Sequence, residues 1–456
     1  AEITGNMTMQ RYLPSGFGYK YFSSPFQAAT VNEFSDNMDL DALFPAFYRF
    51  DENRYVSGTP VSGWISYNER TNSLVPMNGY AVHFGSSSAP NTVDVAGVVN
   101  NGPVSVYLSN NNNPFTEGFN LVGNPYPSPI DWDADSGWTK INIDDAIYFF
   151  SASATDEYGG FYSSYVNGIS SEDGLATNII PSMQGFFVHV SDGAYPVNGI
   201  LETDNAVRVT DLTHSFVKGE KKNEKSLIRL GASFDDGYGR EDFLVTYFDE
   251  KASVNFDSQL DALKLMNTDY DAVSIFSIDP DNKKLSINSI PLIYDDSVQV
   301  PLGLRVNRDG YVVFFIREAV KDFAEMKISI FDAATGKGYE LNGNKKYRVF
   351  LSEDEYLNRF FLNLSSTATN IPKTDPEIEP WHVYFSRGTI IADINLNLNN
   401  RGRLDVYNMT GQKVMLENIY GDGHYIFSAN LANGIYIVTL TSGSYRNSKK
   451  IFIQNR

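Results

Sequence analysis

QGFFVHVSDG, at residues 184–193, is a short run of aromatic and β-branched residues that follows a glycine and ends in a Ser-Asp-Gly turn. Similar runs recur as GYAVHFG at 79–85, DGYVVFFI at 309–316 and NGIYIVTLTSG at 433–443. Gly, Pro, Asn, Asp and Ser interrupt these runs about every ten residues, a spacing that is typical of antiparallel sandwiches and barrels. Because helical periodicity is nearly absent, the sequence predicts an all-β protein.

The first two hundred or so residues contain an internal repeat. Residues 18–26 align with 118–126 at an offset of 100, and 48–50 align with 148–150 at the same offset. Residues 78–84 align with 184–190 at an offset of 106, a drift that loop insertions produce. We therefore predict two copies of one β unit, at residues 16–86 and 116–193. The copies either pack as a pair or form the halves of one pseudo-symmetric sandwich.

Changes in composition divide the rest of the chain. A polar, charged stretch ends in KGEKKNEK at 218–225, and a new series of strands then runs to Leu364. Residues 366–380 contain three prolines and no apolar periodicity, which indicates an extended linker. We predict tandem sandwiches of the jelly-roll or Ig-like kind, with these bounds: a tandem-repeat β region at 1–205, a β-sandwich at 206–365, the linker at 366–380 and a small seven-stranded Ig-like sandwich at 381–456.

The composition limits the classes of function. Of the 456 residues, 42% are hydrophobic and 14% aromatic, which is enough to form packed cores and excludes wholesale disorder. With 36 Lys+Arg against 55 Asp+Glu, the net charge is -19, and this disfavours nucleic-acid binding. No stretch approaches the ~18–20 apolar residues of a transmembrane helix. The absence of Cys excludes disulfides and thiolate sites, and suits an exported protein with large domains.

Three motifs follow one another in the last 76 residues: VYNMTGQ at 406–412, LANGIYIV at 431–438 and KKIFI at 449–453. Their order and terminal position resemble the type A C-terminal sorting domain of the type IX secretion system. The resemblance implies an export signal that is recognised by the outer-membrane translocon and its carrier. It also implies that a sortase commonly removes the signal and attaches the protein to surface lipopolysaccharide. The expected location is extracellular, at the cell surface, reached through the periplasm.

The resemblance places the sorting signal on seven residues: Val406, Tyr407, Gly411, Gly434, Tyr436, Lys449 and Lys450. Alternation directs Val406 inward, and Gly411 supplies a left-handed turn position. Gly434 is expected to serve a second tight turn and Tyr436 to pack beside it. Lys449 and Lys450 either present positive charge to the translocon or its carrier, or protect a strand edge against aggregation.

A second resemblance concerns the body of the chain. GFNLVGNPYPSPIDW at 118–132 resembles a G-[WYF]-N-L-[IV]-G-N-P-Y-P-S-x-[IL]-D-W segment of large, repetitive surface proteins exported by the same system. Residues 180–188 resemble its companion segment, I-P-x-x-Q-[GA]-F-F-V. The resemblance implies an adhesin-like surface protein and identifies no ligand. Since AEITGNMTMQRY at 1–12 lacks the features of a signal peptide, we expect a removed leader or a longer parent polypeptide.

The proline-rich segment after residue 123 is a candidate binding loop. Its three prolines force an excursion away from the end of the preceding strand. Asn124, Tyr126 and Trp132 either plug this loop against the sandwich, which we favour, or form an aromatic shelf for a sugar ring.

Metal sites are only weakly indicated. Asp131, Asp133 and Asp135 alternate as in a calcium loop, but Gly137 is one position late and Asn142 replaces the bidentate Glu, which excludes an EF-hand. A looser structural calcium site stays open, and no other cofactor is expected. The other candidate ligands, His83 and His189, lack any metal-ligand spacing, so we predict partially exposed strand histidines.

No catalytic motif stands out. The G-x-S-x-G elbow and the phosphate- and dinucleotide-binding glycine patterns are absent, and no spacing singles out a pair of carboxylates. We predict a secreted, surface-anchored, non-enzymatic protein that acts as an adhesin or binds carbohydrate, with a glycan or a surface protein as its ligand. The alternative is the noncatalytic accessory region of a larger secreted hydrolase.

Overall fold

The computed structural model describes residues 5–42, 44, 46–172, 175–209, 225–237, 240–291, 297–366, 381–386, 389–394, 401–443 and 445–453. The chain divides into two compact units, Ala1–Ile330 with Glu340–Thr367, and Phe331–Tyr339 with Ala368–Arg456. The described residues form 36 β-strands and three short 3-10 helices (Val31–Phe34, Asn205–Val207 and Lys321–Glu325), without an α-helix, which confirms the all-β prediction. The predicted linker lies outside the described residues from 367 onward.

The first copy of the repeat is a two-layer structure. Its strands are β1 (Met7–Leu13), β2 (Tyr19–Ser23), β3 (Phe47–Phe50), β4 (Tyr55–Val56), β5 (Thr59–Pro60), β6 (Trp64–Ser66), β7 (Gly79–His83) and β8 (Asn91–Gly97). One layer has the order β2-β7-β3-β6 and the other is the pair β1-β8. Between the layers lies an apolar core that includes Phe22, Phe47, Tyr80 and Val93.

The second copy repeats this plan with additional strands. They are β9 (Val104–Asn110), β10 (Phe119–Gly123), β11 (Ile130–Asp131), β12 (Trp138–Ile141), β13 (Ile143–Ala152), β14 (Gly160–Val166), β15 (Ile169–Ser170), β16 (Ile179–Ile180), β17 (Gly185–Val190) and β18 (Val197–Thr203). The main layer has the order β10-β17-β13-β14-β15 and the second layer the order β12-β18-β9. Val122, Ile147, Phe186 and Leu201 contribute to the core between them.

The strand registers carry the same repeat as the sequence. In the first copy Tyr19 lies opposite His83, and in the second copy Phe119 lies opposite His189. The middle strands agree as well, because Tyr48 lies opposite Ala81 and Tyr148 opposite Phe187. The outer pairs β1-β8 and β9-β18 extend each copy beyond its predicted bounds at both ends.

The two copies pack as a pair around a pseudo-twofold crossing of their main chains. Phe22 and Gln184 form an isolated antiparallel β-bridge, and the equivalent residues Val122 and Asn78 form another. The backbone N–H of Ser23 donates to Met183 O at 3.3 Å, and the equivalent N–H of Gly123 donates to Met77 O at 3.0 Å. The structure thus selects one of the two arrangements that the repeat left open.

Glycines make this crossing sterically feasible. A Cβ atom added to Gly79 would lie 2.5 Å from Val122 O, and one added to Gly185 would lie 2.9 Å from Phe22 O. Both separations are shorter than real Cβ contacts, and the obstructing atoms are backbone atoms that side-chain rotation cannot move. The close approach of the copies therefore requires glycine at both positions.

Residues 227–366 form one eleven-stranded sheet. Its strands are β19 (Leu227–Phe234), β20 (Asp242–Phe248), β21 (Ala262–Leu263), β22 (Val273–Ile278), β23 (Lys284–Ile290), β24 (Ser297–Val306), β25 (Gly310–Val320), β26 (Met326–Asp332), β27 (Lys337–Glu340), β28 (Tyr347–Leu351) and β29 (Asp354–Ser366). The order is β27-β26-β29-β24-β22-β23-β20-β19-β25-β28, and β21 pairs with β23. The β20-β23 pair is parallel.

This sheet shares a core with both copies of the repeat. Phe119, Tyr148 and Phe187 pack with Val245 and Ile287 in one buried cluster. Tyr21 and Ala81 of the first copy belong to the same cluster. Residues on both sides of the predicted boundary at 205 thus lie in one compact unit, and the division there stays a prediction.

The interface between the second copy and the eleven-stranded sheet also contains polar groups. The N–H of Leu263 donates to the Tyr148 hydroxyl at 2.9 Å. Asp261 is buried close by, where its oxygens accept the N–H groups of Ser289 at 2.6 Å and Asp257 at 2.7 Å. Burial raises the pKa of Asp261 to about 6, because desolvation of the carboxylate outweighs these hydrogen bonds.

The C-terminal strands form two layers of three and four strands, so seven strands are described here. They are β30 (Trp381–Ser386), β31 (Thr389–Ile394), β32 (Arg401–Asn408), β33 (Lys413–Tyr420), β34 (Gly423–Ser428), β35 (Gly434–Ser442) and β36 (Tyr445–Ile453). The layers have the orders β30-β31-β34 and β33-β32-β35-β36. Trp381, Ile390, Leu404 and Val438 lie in the core between them.

Gly79→Ala is expected to lower the free energy of unfolding by about 1–3 kcal/mol, because the added methyl overpacks the crossing. The measurement is the midpoint of urea unfolding. Gly338→Ala is the control, since a Cβ atom there meets no atom within 4 Å. Equal midpoints for wild type and Gly79→Ala would show that the crossing is looser than described.

Asp261 is expected to make stability fall as pH rises. Its folded pKa of about 6 lies above the ~3.9 of an unfolded Asp, so the folded state retains a proton that the unfolded state releases. Between pH 4.5 and 7.5 this costs about 2 kcal/mol. Asp261→Asn removes that dependence. Between pH 4.5 and pH 7.5 the wild type should therefore lose about 2 kcal/mol of unfolding free energy that the variant keeps, as measured by urea unfolding. A difference that is the same at both pH values contradicts the assignment.

Candidate functional site: the C-terminal strands and an exposed aromatic cluster

The predicted sorting motifs lie on β32, β35 and the turn after β32. Val406 is buried opposite Val438, and Tyr407 is half-buried opposite Ile437. The turn is closed by Asn408, whose side-chain oxygen accepts the N–H groups of Thr410 at 3.1 Å and Gln412 at 3.0 Å. Gly411 in this turn has a φ of +82°, which glycine adopts without strain.

Tyr436 holds the second turn. Its ring is buried at the start of β35, and its hydroxyl donates to Ala432 O at 2.9 Å, four residues upstream. Gly434 lies between these two residues with a φ of +156°. A buried ring with its hydroxyl tied to the preceding backbone fixes the entry of the strand, as a tyrosine corner does.

Lys449 and Lys450 lie in β36, at the edge of the four-stranded layer in the part of the chain that the structure describes. Lys450 is exposed, whereas Lys449 is half-buried with its ammonium 5.9 Å from the centre of the Trp381 ring. Desolvation lowers the pKa of Lys449. Residues 381–456 contain eight Lys+Arg against four Asp+Glu, although the whole chain carries a net charge of -19. Both interpretations of the lysine pair stay predictions.

The proline-rich loop is packed into the protein. Asn124 is fully buried; its side-chain N–H groups donate to Ser128 O at 2.9 Å and Ile180 O at 3.0 Å. The buried Tyr126 hydroxyl donates to Gly102 O at 2.7 Å, and the buried Trp132 Nε1–H donates to Asp145 O at 2.7 Å. Buried rings offer no face to a ligand, so the aromatic-shelf alternative does not fit and the plug does.

The aspartates after this loop have protein partners. Asp131 accepts a hydrogen bond from Asn178 Nδ2 at 2.7 Å, and Asp133 accepts one from the Tyr165 hydroxyl. Asp135 is exposed. Among the described residues no group of three or more His, Asp or Glu side chains is arranged to hold a metal ion. The arrangement therefore gives the calcium hypothesis no support at these three positions.

The prediction of partially exposed histidines is wrong for both repeat positions. His189 is buried, with Nδ1 2.6 Å from Asp144 Oδ2, and Ser191 Oγ donates to Asp144 Oδ1 at 2.5 Å. His83 is only 9% exposed. Alternation correctly separates the two faces of β7 and β17, but in this fold both faces are covered, so the polar face is buried as well.

An exposed aromatic cluster, which sequence reasoning missed, surrounds His83. We define it as Tyr19, Phe44, Tyr48, His83 and Tyr158. Phe44 and Tyr158 are 56% and 57% exposed, and their ring centroids are 5.6 Å apart at an angle of 71°. Tyr158 stacks on His83 at 5.4 Å and 7°. Tyr19 packs against His83 at 4.8 Å and against Tyr48 at 6.2 Å.

The hairpin between β13 and β14 positions Tyr158. Ser153 Oγ accepts the N–H groups of Thr155 and Asp156, and Asp156 Oδ1 accepts the N–H of Tyr158 at 3.1 Å. Asp156 Oδ2 accepts the N–H of Tyr270 at 3.2 Å, which ties the hairpin to the eleven-stranded sheet. The signal that was available in the sequence is a tyrosine inside the turn ATDEYGG at 154–160, where no strand alternation would bury it.

Beside this cluster lies a carboxylate. Glu157 Oε1 is 3.3 Å from His83 Nε2, an orientation that does not complete a hydrogen bond. The pKa of His83 is lowered, because desolvation of the imidazolium outweighs its attraction to Glu157. Gly18, with a φ of +70°, leaves room for Glu157, since an added Cβ atom would lie 3.0 Å from Glu157 O.

Comparisons with known proteins bear on both parts of the chain. Residues 390–454 match the family described as "Secretion system C-terminal sorting domain", which confirms the predicted type IX sorting signal and a cell-surface or extracellular location. No curated protein matches the chain. A solved structure described as "Biofilm associated protein - BSP domain" is 9% identical over 98% of this chain and 92% of that chain. Its TM-score of 0.19 supports no conclusion.

The described residues contain no helix that is long and apolar enough to cross a membrane. Residues 1–364, most of the chain, match the family described as "Domain of unknown function (DUF8693)". The chain therefore belongs to this family, and it ends in a secretion system C-terminal sorting domain.

Proposed function

We propose that this chain is a non-enzymatic adhesin of the cell surface and that it binds carbohydrate. The observation that carries the proposal is the pair of exposed rings, Phe44 and Tyr158, on a rigid body that a sorting domain directs to the surface. Single exposed apolar side chains are ordinary on a protein surface, whereas two exposed rings packed against each other form an apolar patch of the kind that ligand sites use. Rings beside a carboxylate and phenol hydroxyls match the alternating apolar and hydroxyl-bearing surface of a sugar.

The proposed partners follow from the same two parts. The C-terminal strands engage the type IX translocon, its outer-membrane carrier and the sortase, and the body binds a glycan on another surface. The motif residues Val406 and Tyr436 act in this scheme by keeping the signal folded, since both lie in its core. Gly411 shapes the exposed turn, and Lys450 presents charge at the edge strand.

Tyr436→Ala is expected to abolish export of a periplasmic reporter fused to residues 366–456, in a host that has the type IX system. Loss of the buried ring costs about 3–5 kcal/mol, enough to unfold a small domain. Tyr420→Ala is the control, because that ring is 63% exposed. The readout is reporter at the cell surface. Export of Tyr436→Ala at the control level would mean that the translocon reads a segment and not a folded domain.

The purified chain is expected to bind a polysaccharide without cleaving it. Retardation in a native gel cast with polysaccharide measures binding, and release of reducing ends measures cleavage. Retardation without new reducing ends is the expected result. New reducing ends would contradict the non-enzymatic proposal, and a chain that migrates equally in every polysaccharide gel would contradict carbohydrate binding.

A further inference from the structure

We infer that the aromatic cluster together with Glu157 is the carbohydrate-binding site, and that its ligand is an uncharged polysaccharide of pyranose sugars. This inference rests on the proposed function and adds the place and the ligand class.

The two exposed rings form a corner. Phe44 and Tyr158 are each more than half exposed, and they meet at 71° with their centroids 5.6 Å apart. The C–H bonds of a pyranose ring form flat apolar patches that pack on such faces. Two rings at an angle contact two successive sugars of a chain that turns at its glycosidic bond, which favours a polysaccharide over a single sugar.

Polar groups converge beside these rings. The Glu157 carboxylate is partly exposed and accepts hydrogen bonds, and His83 Nε2 nearby lacks an aligned partner. The Tyr19 hydroxyl lies beside Tyr48, and burial together with a hydrogen bond to Tyr48 raises its pKa. A sugar hydroxyl group both donates and accepts hydrogen bonds. A site that contains both donors and acceptors can therefore pair with it in both ways.

The second copy shows what the same positions do when they are only structural. There Phe119, Tyr148 and His189 occupy the positions of Tyr19, Tyr48 and His83. Phe119 and Tyr148 are buried in the core shared with the eleven-stranded sheet, and His189 pairs with Asp144.

The first copy differs at two positions. It has a hydroxyl where the second copy has Phe119, and the exposed Phe44 stands four residues before Tyr48, as Asp144 stands four residues before Tyr148. Phe44 lies against the exposed Tyr158, so the first copy presents a pair of aromatic rings to solvent where the second copy has the buried His189 and Asp144.

The site is preorganised. The Tyr158 hairpin is held by Ser153 and Asp156 through backbone hydrogen bonds, and Tyr158 is stacked on His83 before any ligand binds. These side chains are already ordered, so binding a ligand costs little side-chain conformational entropy.

The charge around the site selects among polysaccharides. Glu157 and Asp156 lie next to Tyr158, and the whole chain carries a net charge of -19. The nearby Lys20 ammonium, which donates to Phe17 O at 2.5 Å, is one positive charge against these two carboxylates. Acidic polysaccharides are repelled by such a surface, and uncharged ones are not.

The experiment uses the full chain with mannan and laminarin as uncharged probes and alginate as the acidic probe, in native gels and by calorimetry. We expect binding to at least one uncharged probe and none to alginate. Tyr158→Ala and Phe44→Ala should each weaken binding about tenfold or more through loss of a stacking face. Tyr158→Phe, which keeps the ring, and Tyr107→Ala, which removes an 80% exposed ring outside the cluster, should bind like wild type.

The possible results separate the inference from the proposed function. If wild type binds an uncharged probe and both alanine variants bind equally well, the site is wrong and the carbohydrate function stands. If only alginate binds, the ligand class is wrong. If no probe binds, the carbohydrate function and this inference both fail.

A chemical readout avoids any effect of substitution on folding. A saturating uncharged polysaccharide should protect Tyr158 of the wild-type chain from nitration by tetranitromethane and leave Tyr107 reactive, as measured by mass spectrometry. Equal nitration of Tyr158 with and without a bound polysaccharide overturns the assignment of the site.

Discussion

The close crossing of two main chains, at Ser23 and Gly79 in one copy and at Gly123 and Gly185 in the other, is the constraint on which the body depends. Backbone atoms of one copy fill the space where side chains of the other would stand. This contact sets the distance and angle between the copies. It thereby brings the outer faces of both main layers into the core that the eleven-stranded sheet completes. It also brings the hairpin of the second copy against Gly18 of the first.

A pseudo-twofold pair has two equivalent faces, and this protein uses them differently. The buried Glu52 marks the asymmetry: its carboxylate accepts from Asn111 Nδ2 at 2.6 Å and Ser109 Oγ at 3.2 Å in the second copy. At the offset of 100 its counterpart is Ala152. The first copy thus supplies a clamp and four of the five residues of the aromatic cluster, whereas the second copy supplies Tyr158 and more of the surface on which the eleven-stranded sheet packs. The repeat supplies a common frame, and the residues that differ between the copies distinguish the two faces.

The features that could be predicted from the sequence are those that depend on a local sequence pattern. Alternation and turn residues predict strands such as β7, β17 and β35, and the spacing of motifs predicts the repeat and the sorting domain. Sequence reasoning failed for His83 and His189 because alternation says which face a residue is on, and not whether another layer covers that face. The aromatic cluster was out of reach for a related reason. Residues 44, 83 and 158 lie far apart in the sequence, and only the crossing of the copies places them together.

The chain contains no cysteine, so none of its loops is closed by a disulfide. Its loops are closed by short polar side chains that bond to the backbone: Asn124 in the proline-rich loop, Asp156 in the Tyr158 hairpin and Asn408 in the sorting domain. Each such hydrogen bond contributes only about 1 kcal/mol net. The buried bond of Asn124 is costly to break, because the freed polar groups would stay unsatisfied, whereas the bonds of Asp156 and Asn408 are exposed. Several bonds from one side chain therefore hold a loop in one conformation. A loop held in this way keeps its shape in oxidising and reducing surroundings alike, since none of its bonds depends on a disulfide.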